Sequence, residues 1–151
     1  MNKIYIAGPE VFEKNSLEIG EKYKEICRKH NCEGMYPLDN CCSTATEIYF
    51  GNTNLIDKAD AVIANGNEFR GEMDVGTAFE IGYAVAKSKP VYIYMNDTRS
   101  LIEKYGTEDA EGRYYEDFNH PLNLMLAESS MIIKGSFEDA IIAFMDDQKE
   151  C

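Results

Sequence analysis

The sequence has 151 residues, of which 27 are acidic and 15 are Lys or Arg, so its formal charge is −12 and its pI is about 4.5. A chain of this length with 44% hydrophobic residues forms one globular domain and buries roughly 70% of its unfolded surface, so its core needs no disulfide or metal. The negative charge disfavours a nucleic acid polymer as partner, because proteins that bind such polymers neutralise phosphates with basic side chains.

In the first half of the chain, short β-branched runs alternate with stretches of helical periodicity, which is typical of a parallel sheet covered by helices. The run KIYIA predicts a first strand at Lys3–Ala7, which Gly8 and Pro9 end. An amphipathic helix is predicted at Ser16–His30, because apolar side chains recur there at helical spacing (Ile19, Tyr23, Ile26 and Cys27). A short second strand at Met35–Pro37 is followed by a loop (Asp39, Asn40 and two adjacent cysteines) and by a helix that ends near Lys58.

The second half of the chain continues the alternation. It predicts a third strand, a helix, a fourth strand, a fifth strand and a closing helix (Asp60–Asn65, Val75–Ala86, Pro90–Met95, Met131–Ile133 and Ser136–Met145). Five strands with intervening helices predict an α/β fold, a flavodoxin-like doubly wound parallel sheet with helices on both faces. Ligands of such sheets bind beyond the carboxyl ends of the strands, where the strand order reverses. The loops after Ala7, Asn65 and Met95 are therefore the first places to look for a site.

One segment has no clear period. Residues Tyr105 to His120 are polar and rich in Glu and Tyr. A segment of this length without regular structure is typical of a lid over an active site or of a mobile excursion. Both interpretations stay open at this point.

The cysteines and histidines disfavour a metal site. The five cysteines are an odd set without CxxC spacing, which favours reduced thiols (Cys27, Cys32, Cys41, Cys42 and Cys151). The two histidines, His30 and His120, form no HExxH motif. No apolar run approaches the ~20 residues of a membrane span, and MNKIYIAGPEVF lacks the apolar core of a signal peptide. We therefore expect a cytoplasmic protein without metal or membrane contact.

Glu80 is the one charged residue between Val75 and Ala86. A carboxylate in such apolar surroundings is unfavourable unless hydrogen bonds or a solvated cleft compensate. Four residues share its helix face, and three of them are small (Gly76, Thr77, Tyr83 and Ala84). This face predicts an open pocket for a flat ligand, with a carboxylate at its floor. The alternative is a solvated helix face whose small residues only allow close packing on the sheet.

Three further polar residues have a structural and a functional interpretation. Asp74 stands where the N-cap of the helix is expected. Tyr5 lies in the first strand, and a carboxylate from the adjacent helix would satisfy its buried hydroxyl unless that hydroxyl reaches the surface. Asn123 follows Pro121 as a cap or turn residue, or as a hydrogen-bond partner of a polar ligand. Gly8 and Pro9 match neither a dinucleotide fingerprint nor a phosphate-binding loop.

Four segments taken together resemble the nucleoside 2-deoxyribosyltransferase family: YIAGPEVF, NTNLIDKADAVIA, DVGTAFEIGYA and PLNLML. The similarity runs from about Ile4 to Phe144. The segments IAGP and ADAVIA are generic to α/β sheets, whereas DVGTAFEIGYA is specific because it fixes an acid, a glycine and a glutamate at set offsets. The resemblance implies one domain over residues 1–151 that transfers a 2-deoxyribosyl group between nucleobases in nucleotide salvage, with small-molecule substrates and without any cofactor.

The resemblance also implies residue roles. Glu80 matches the nucleophile that attacks C1′ and forms a glycosyl ester, which an incoming base displaces with net retention. Tyr5 matches the tyrosine that orients this nucleophile. Asp74 matches an acid that holds the sugar hydroxyls and assists proton movement at the base. Asn123 matches an asparagine that reaches into the neighbouring subunit's site, which implies a homo-oligomer such as a dimer or hexamer.

The chain departs from the family at Asn52, eight residues before Asp60, where many members have an aspartate proposed to protonate the leaving base. An amide cannot act as a general acid, but it donates to and accepts from a base edge. Some members that favour purines share this asparagine, so a purine preference is expected here, with the proton supplied by Asp74 or water. Other expected substrate contacts are Gly8, Gly76 and two residues for base stacking or the core (Phe12 and Phe69), with Arg70 closing over the ligand or facing solvent.

Two alternatives remain at the level of the sequence. In the first, water resolves the glycosyl ester, which makes the protein a 2-deoxynucleoside or deoxynucleotide N-glycoside hydrolase of the same fold. The acidic surface and Asp74 disfavour the nucleotide version, since they repel a phosphate dianion. In the second, the chain is a nonenzymatic flavodoxin-like module that binds a nucleotide or a protein, which leaves Glu80 unexplained.

Overall fold

The computed structural model describes residues 1–150, and its centre is a parallel five-stranded sheet. Its strands are β1 (Asn2–Ala7), β2 (Cys32–Met35), β3 (Ala61–Asn65), β4 (Val91–Met95) and β5 (Met131–Lys134). They lie side by side in the order β2-β1-β3-β4-β5. This is the flavodoxin-like order, whose reversal lies between β1 and β3, and it confirms the predicted fold class.

Helices cover the sheet. The longer ones are α1 (Ser16–Lys29), α2 (Ala45–Lys58), α3 (Val75–Ala86) and α6 (Phe137–Glu150), and the shorter ones are α4 (Leu101–Tyr105) and α5 (Leu124–Ser129). Single 3₁₀ turns follow β1 at Pro9–Phe12 and β2 at Pro37–Asn40. Within residues 1–150, no helix is both long and apolar enough to cross a membrane.

The alternation of side chains along β1 divides the core into two layers. Ile4 and Ile6 pack in the cluster that contains Phe144 of α6, whereas Tyr5 and Ala7 pack in the cluster that contains Ile81 of α3. Both clusters are buried, as expected for a parallel sheet covered on both faces. The odd positions of β1 are therefore on the same side of the sheet as Glu80.

The structure corrects several predicted boundaries. The second strand at Met35–Pro37 was wrong, because β2 spans Cys32–Met35 in register with β1 and Pro37 begins a 3₁₀ turn. Proline has no N–H to donate to a strand ladder. The closing helix begins at Phe137 and continues to Glu150, and the short helices α4 and α5 were not predicted. The bounds of α3 agree with the prediction, whereas the prediction for Cys151 lies outside the described residues.

Candidate active site

A cavity of about 350 Å³ lies at the carboxyl end of β1, next to the reversal of strand order. Its volume is within the range of small-molecule sites, which is about 300–1,000 Å³. The turn after β1, the segment after β2 and the helices α2 and α3 form its walls. It brings together six of the residues that the sequence predicted as a site: Gly8, Phe12, Asn52, Asp74, Gly76 and Glu80.

Tyr5 contacts Glu80, one of the residues that line this cavity. The Tyr5 hydroxyl donates a hydrogen bond of 2.8 Å to Glu80 Oε1. Tyr5 is 0% exposed and Glu80 is partly buried. Burial, followed by the negative charge of Glu80, raises the pKa of Tyr5 well above its usual value, so the phenol keeps its proton and acts as a donor near neutral pH. The expectation that a helix carboxylate satisfies the Tyr5 hydroxyl is confirmed.

The surroundings of Glu80 disfavour its charged form. Burial raises the pKa of Glu80 to about 7, and the charge of Asp74 acts in the same direction. The hydrogen bonds from Tyr5 and Asn52 oppose this rise, because they stabilise the carboxylate. Near neutral pH, Glu80 is therefore divided between its neutral and charged forms. A freely solvated helix face does not fit a partly buried, hydrogen-bonded carboxylate.

Asp74 is the N-cap of α3, as predicted. Its Oδ2 accepts hydrogen bonds from the Thr77 backbone N–H at 2.8 Å and from the Thr77 hydroxyl at 2.7 Å. Both bonds use the same oxygen, which leaves Oδ1 outside the cap. A Cβ added at Gly76 would lie 3.3 Å from Asp74 Oδ2, so the glycine keeps the space beside this carboxylate open. The cap thus fixes the carboxylate at the cavity wall.

Asn52 of α2 contacts the carboxylate of Glu80. Its Nδ2 donates to Glu80 Oε1 over 3.4 Å. Its Oδ1 is buried, and among the described residues it has no hydrogen-bond partner. Buried polar atoms are normally paired, so this oxygen is an acceptor suited to a donor group on a ligand in the cavity.

Phe12 lines the cavity, whereas the predicted contacts Phe69 and Arg70 pack on Phe12 outside the cavity lining. Phe12 is 59% exposed and stacks on Phe69, with ring centroids 5.5 Å apart and planes 11° from parallel. The Arg70 guanidinium carbon lies 4.5 Å from the Phe69 ring centroid and 5.3 Å from that of Phe12. The core interpretation of Phe12 is therefore wrong. Arg70 is exposed and packs on both rings by cation–π contact.

Among the predicted catalytic and binding residues, Asn123 is the one that lines a different cavity from that of Glu80. It is the N-cap of α5, accepting from the Met125 N–H at 2.9 Å and donating to Glu116 Oε1 at 2.7 Å. It lines a larger cleft of about 730 Å³ together with Tyr114 and Tyr115 from the segment predicted as a lid. Within the described chain, Asn123 does not line the cavity of Glu80, and no finding tests a lid role for residues 105–120.

Glu10 is a buried carboxylate that the sequence analysis missed. It is 9% exposed, and its Oε1 accepts hydrogen bonds from the Tyr23 hydroxyl at 3.0 Å, the Tyr94 hydroxyl at 2.8 Å and Asn65 Nδ2 at 2.7 Å. A Cβ at Gly8 would collide with this carboxylate. Glu10 thereby fixes the Pro9–Phe12 turn, which presents Gly8 and Phe12 to the cavity. Its signal in the sequence was an acid just beyond the carboxyl end of the first strand.

Comparisons with known proteins indicate the family of the chain. A sequence profile described as nucleoside 2-deoxyribosyltransferase matches residues 4–125. An uncharacterized protein of Schizosaccharomyces pombe is 33% identical over 112 residues, which are 67% of this chain and 53% of that protein. The chain thus spans about half the length of the curated relative it matches.

Solved structures resemble the chain over almost its whole length. The 2-deoxyribosyltransferase from Leishmania mexicana is 38% identical with a TM-score of 0.88, and the match covers 97% of this chain and 98% of that one. A conserved protein from Enterococcus faecalis is 23% identical with a TM-score of 0.68, covering 98% of this chain and 99% of that one. At that identity, the second likeness shows a shared fold.

Proposed function

The chain belongs to the nucleoside 2-deoxyribosyltransferase family, and we propose that it is an enzyme that transfers a 2-deoxyribosyl group between nucleobases through an ester on Glu80. The observation that carries the proposal is the 2.8 Å hydrogen bond from Tyr5 to Glu80, a residue that lines a ligand-sized cavity. The similarity to the Leishmania mexicana enzyme, which covers 97% of the chain, supports the same activity. We infer that residues 1–151 make up one domain of this kind.

The proposed reaction has two displacement steps at C1′ of the deoxyribose. Tyr5 and Asn52 both donate to Oε1 of Glu80, so we assign the attack to the other oxygen, Oε2. The new C1′–Oε2 bond forms as the N-glycosidic bond breaks. The electron pair of the N-glycosidic bond leaves with the base, which takes up a proton. An incoming base then attacks C1′ through nitrogen, gives up the proton of that nitrogen and releases the carboxylate, so the proton taken up in the first step is returned. Two inversions give net retention, as in a retaining glycosidase.

A pKa near 7 suits Glu80 to both steps. The first step needs the carboxylate, and the second is helped because the departing carboxylate is stabilised by the donors Tyr5 and Asn52. Because Glu80 is partly desolvated, its carboxylate is less stabilised before the attack than a carboxylate in bulk water. We assign to Asp74, whose carboxylate is fixed by its cap, the roles of accepting hydrogen bonds from the sugar hydroxyls and of assisting the proton transfer.

We infer a preference for purine donors from Asn52 and its surroundings. An amide supplies no proton to the leaving base, but the unpartnered Oδ1 accepts a hydrogen bond from an N–H or amino group on a purine edge. The exposed face of Phe12, backed by Phe69 and Arg70, provides a surface for stacking a base. Comparable kcat/KM values for purine and pyrimidine deoxynucleosides would contradict this preference.

Electrostatics favours a nucleoside over a nucleotide. The described residues that line the cavity include the carboxylates of Asp74 and Glu80 and no Lys, Arg or His. A 5′-phosphate dianion would therefore meet negative charges within the cavity lining, and Arg70, which packs on Phe12, lies outside that lining. This makes hydrolysis of deoxynucleotides the weaker alternative.

We propose that Asn123 completes the site of a second subunit, so that the enzyme works as a homo-oligomer. Asn123 lies in the larger cleft, away from its own chain's Glu80. Two exposed apolar side chains of the same cleft support an interface there, since Val75 is 74% and Met125 is 72% exposed. Mixing a Glu80→Ala variant with an Asn123→Ala variant tests the sharing of sites. Mixed oligomers restore activity if the sites are shared, and no restoration would contradict this arrangement.

The decisive experiment is incubation of the protein with deoxyinosine, with and without free adenine. Transfer predicts deoxyadenosine and hypoxanthine, whereas hydrolysis predicts hypoxanthine and free deoxyribose in both mixtures. Mass spectrometry of the protein with deoxyinosine alone is expected to show a deoxyribosyl adduct on the peptide that contains Glu80. A Glu80→Ala variant should lose turnover by orders of magnitude. Product formation at the wild-type rate by that variant would refute the mechanism.

A further inference from the structure

Two adjacent cysteines, Cys41 and Cys42, lie in the wall of the cavity that contains Glu80. We propose that Cys41 is a modification site, at which reaction with a low-molecular-weight disulfide closes the substrate cavity reversibly. The inference rests on the proposed function, because it takes the cavity as the site of the deoxynucleoside.

The position of the pair is set by the segment between β2 and α2. A 3₁₀ turn ends at Asn40, and Thr44 caps α2, so the two cysteines occupy the short connection between them. Cys41 has a left-handed backbone, with φ of 49°, and its side chain is exposed, whereas Cys42 is partly buried. The Cys41 thiol has a long contact of 3.9 Å to the Asp39 carbonyl. Cys41 is thus an exposed residue that also lines the cavity.

The other described thiols are protected. Cys27 and Cys32 are both 0% exposed. Burial raises the pKa of Cys27 to about 12, and it also raises the pKa of Cys32. Because the thiolate is the reactive form, both stay inert near neutral pH. Among residues 1–150, disulfide reagents are therefore expected to react at the cavity wall, where Cys41 is exposed, and not at the buried Cys27 and Cys32.

The chemistry is thiol–disulfide exchange with a disulfide such as oxidised glutathione. The Cys41 thiolate attacks one sulfur of the disulfide, the new bond forms at Cys41 Sγ, and the original S–S bond breaks. The other half leaves as a free thiolate. A small thiol reverses the reaction by attacking the mixed disulfide. A cavity of about 350 Å³ holds one small ligand, so a peptide adduct at its wall competes with the deoxynucleoside.

The test uses a Cys151→Ser background, since the chain carries a further cysteine there. The protein is treated with oxidised glutathione, the adduct is mapped by peptide mass spectrometry, and transfer from deoxyinosine to adenine is measured. The expected result is an adduct on Cys41 and a loss of kcat/KM of about tenfold or more, restored by dithiothreitol. Deoxyinosine should slow adduct formation, and the Cys41→Ser variant should keep its activity after treatment, whereas Cys42→Ser should still be inhibited.

A matched reagent separates closure of the cavity from loss of the thiol itself. Methyl methanethiosulfonate leaves an S-methyl adduct, which is far smaller and should inhibit less. Equal inhibition by both reagents, equal inhibition of the Cys41→Ser variant, or full activity of protein completely modified at Cys41 would each overturn the proposal. If the untreated protein shows no transfer, the proposed function fails. The mapped adduct still tests the modification site in that case, and an adduct on a residue other than Cys41 would refute that site.

Discussion

Replacing Glu80 with Gln is expected to stabilise the fold above neutral pH. The pKa of Glu80 is about 7 in the folded protein, where burial disfavours the charged form, compared with 4.5 for a free glutamate. The difference, 7 minus 4.5, corresponds to about 3 kcal/mol at 1.36 kcal/mol per pKa unit. For a carboxyl with a raised folded pKa, stability is greatest below pH 4.5 and declines as the pH rises towards 7. Above pH 7 the carboxylate destabilises the fold by this whole amount.

The Gln side chain does not ionise and keeps an oxygen to accept from Tyr5, so the variant lacks this pH-dependent destabilisation. Urea unfolding of both proteins at about pH 4.5 and about pH 8.5 measures the difference, since every other titrating group cancels. We expect nearly equal free energies of unfolding at the lower pH. At the higher pH, the variant should be more stable by about 3 kcal/mol, or roughly 6–12 °C in Tm.

A Glu33→Gln variant is the matched control, because Glu33 is exposed on β2. Its free energy of unfolding should stay within about 0.5 kcal/mol of the wild type at both pH values. If the Glu80→Gln difference were the same at both pH values, or if the wild type were the more stable protein at the higher pH, the carboxylate would not be desolvated as inferred.

Four further substitutions test the site. In Tyr5→Phe, the pKa of Glu80 should rise because a stabilising donor is lost, so the acidic limb of the kcat/KM profile moves to higher pH; a shift to lower pH would contradict this. Asp74→Asn keeps a capping side chain but removes a negative charge, so the same limb should move to lower pH in any activity that remains. Asn52→Asp provides a proton donor and should raise kcat/KM for pyrimidine relative to purine donors, measured by competition. Glu10→Ala frees the turn that presents Phe12, so KM for the donor should rise several-fold while the pH of the limb stays constant.

The variants differ in how their failure is interpreted. The midpoint pH of the acidic limb of the kcat/KM profile reports on Glu80 itself. A change in KM alone reports on the shape of the cavity. A Tyr94→Phe variant, which removes one of the three donors to Glu10, should produce a smaller change than Glu10→Ala. A loss of folding in Glu10→Ala but an unchanged KM in Tyr94→Phe would assign Glu10 to stability and not to the cavity.

The sequence by itself determined most of the longer regular elements and most of the residues around Glu80. The strand–helix alternation predicted the flavodoxin-like sheet because each element has its own hydrophobic period. Helix α3 was predicted at its observed bounds because an acid at its cap and an apolar run define it locally. Glu80 was conspicuous for a local reason as well, being one charge in an apolar helix. These features depend on residues that are close together in the sequence, so they can be predicted without knowing the fold.

Tertiary structure decided the strand pairing and most of the contacts between distant groups. The register with β1 placed β2 at Cys32–Met35 instead of Met35–Pro37, since pairing and not local propensity sets an edge strand. The partners of Glu10 lie as far as 84 residues away at Tyr94, so its position after the first strand did not reveal that its carboxylate is buried and hydrogen-bonded. The pKa of Glu80 is likewise a property of the folded chain, because desolvation and the approach of Tyr5, 75 residues away, exist only once the sheet and α3 have packed together.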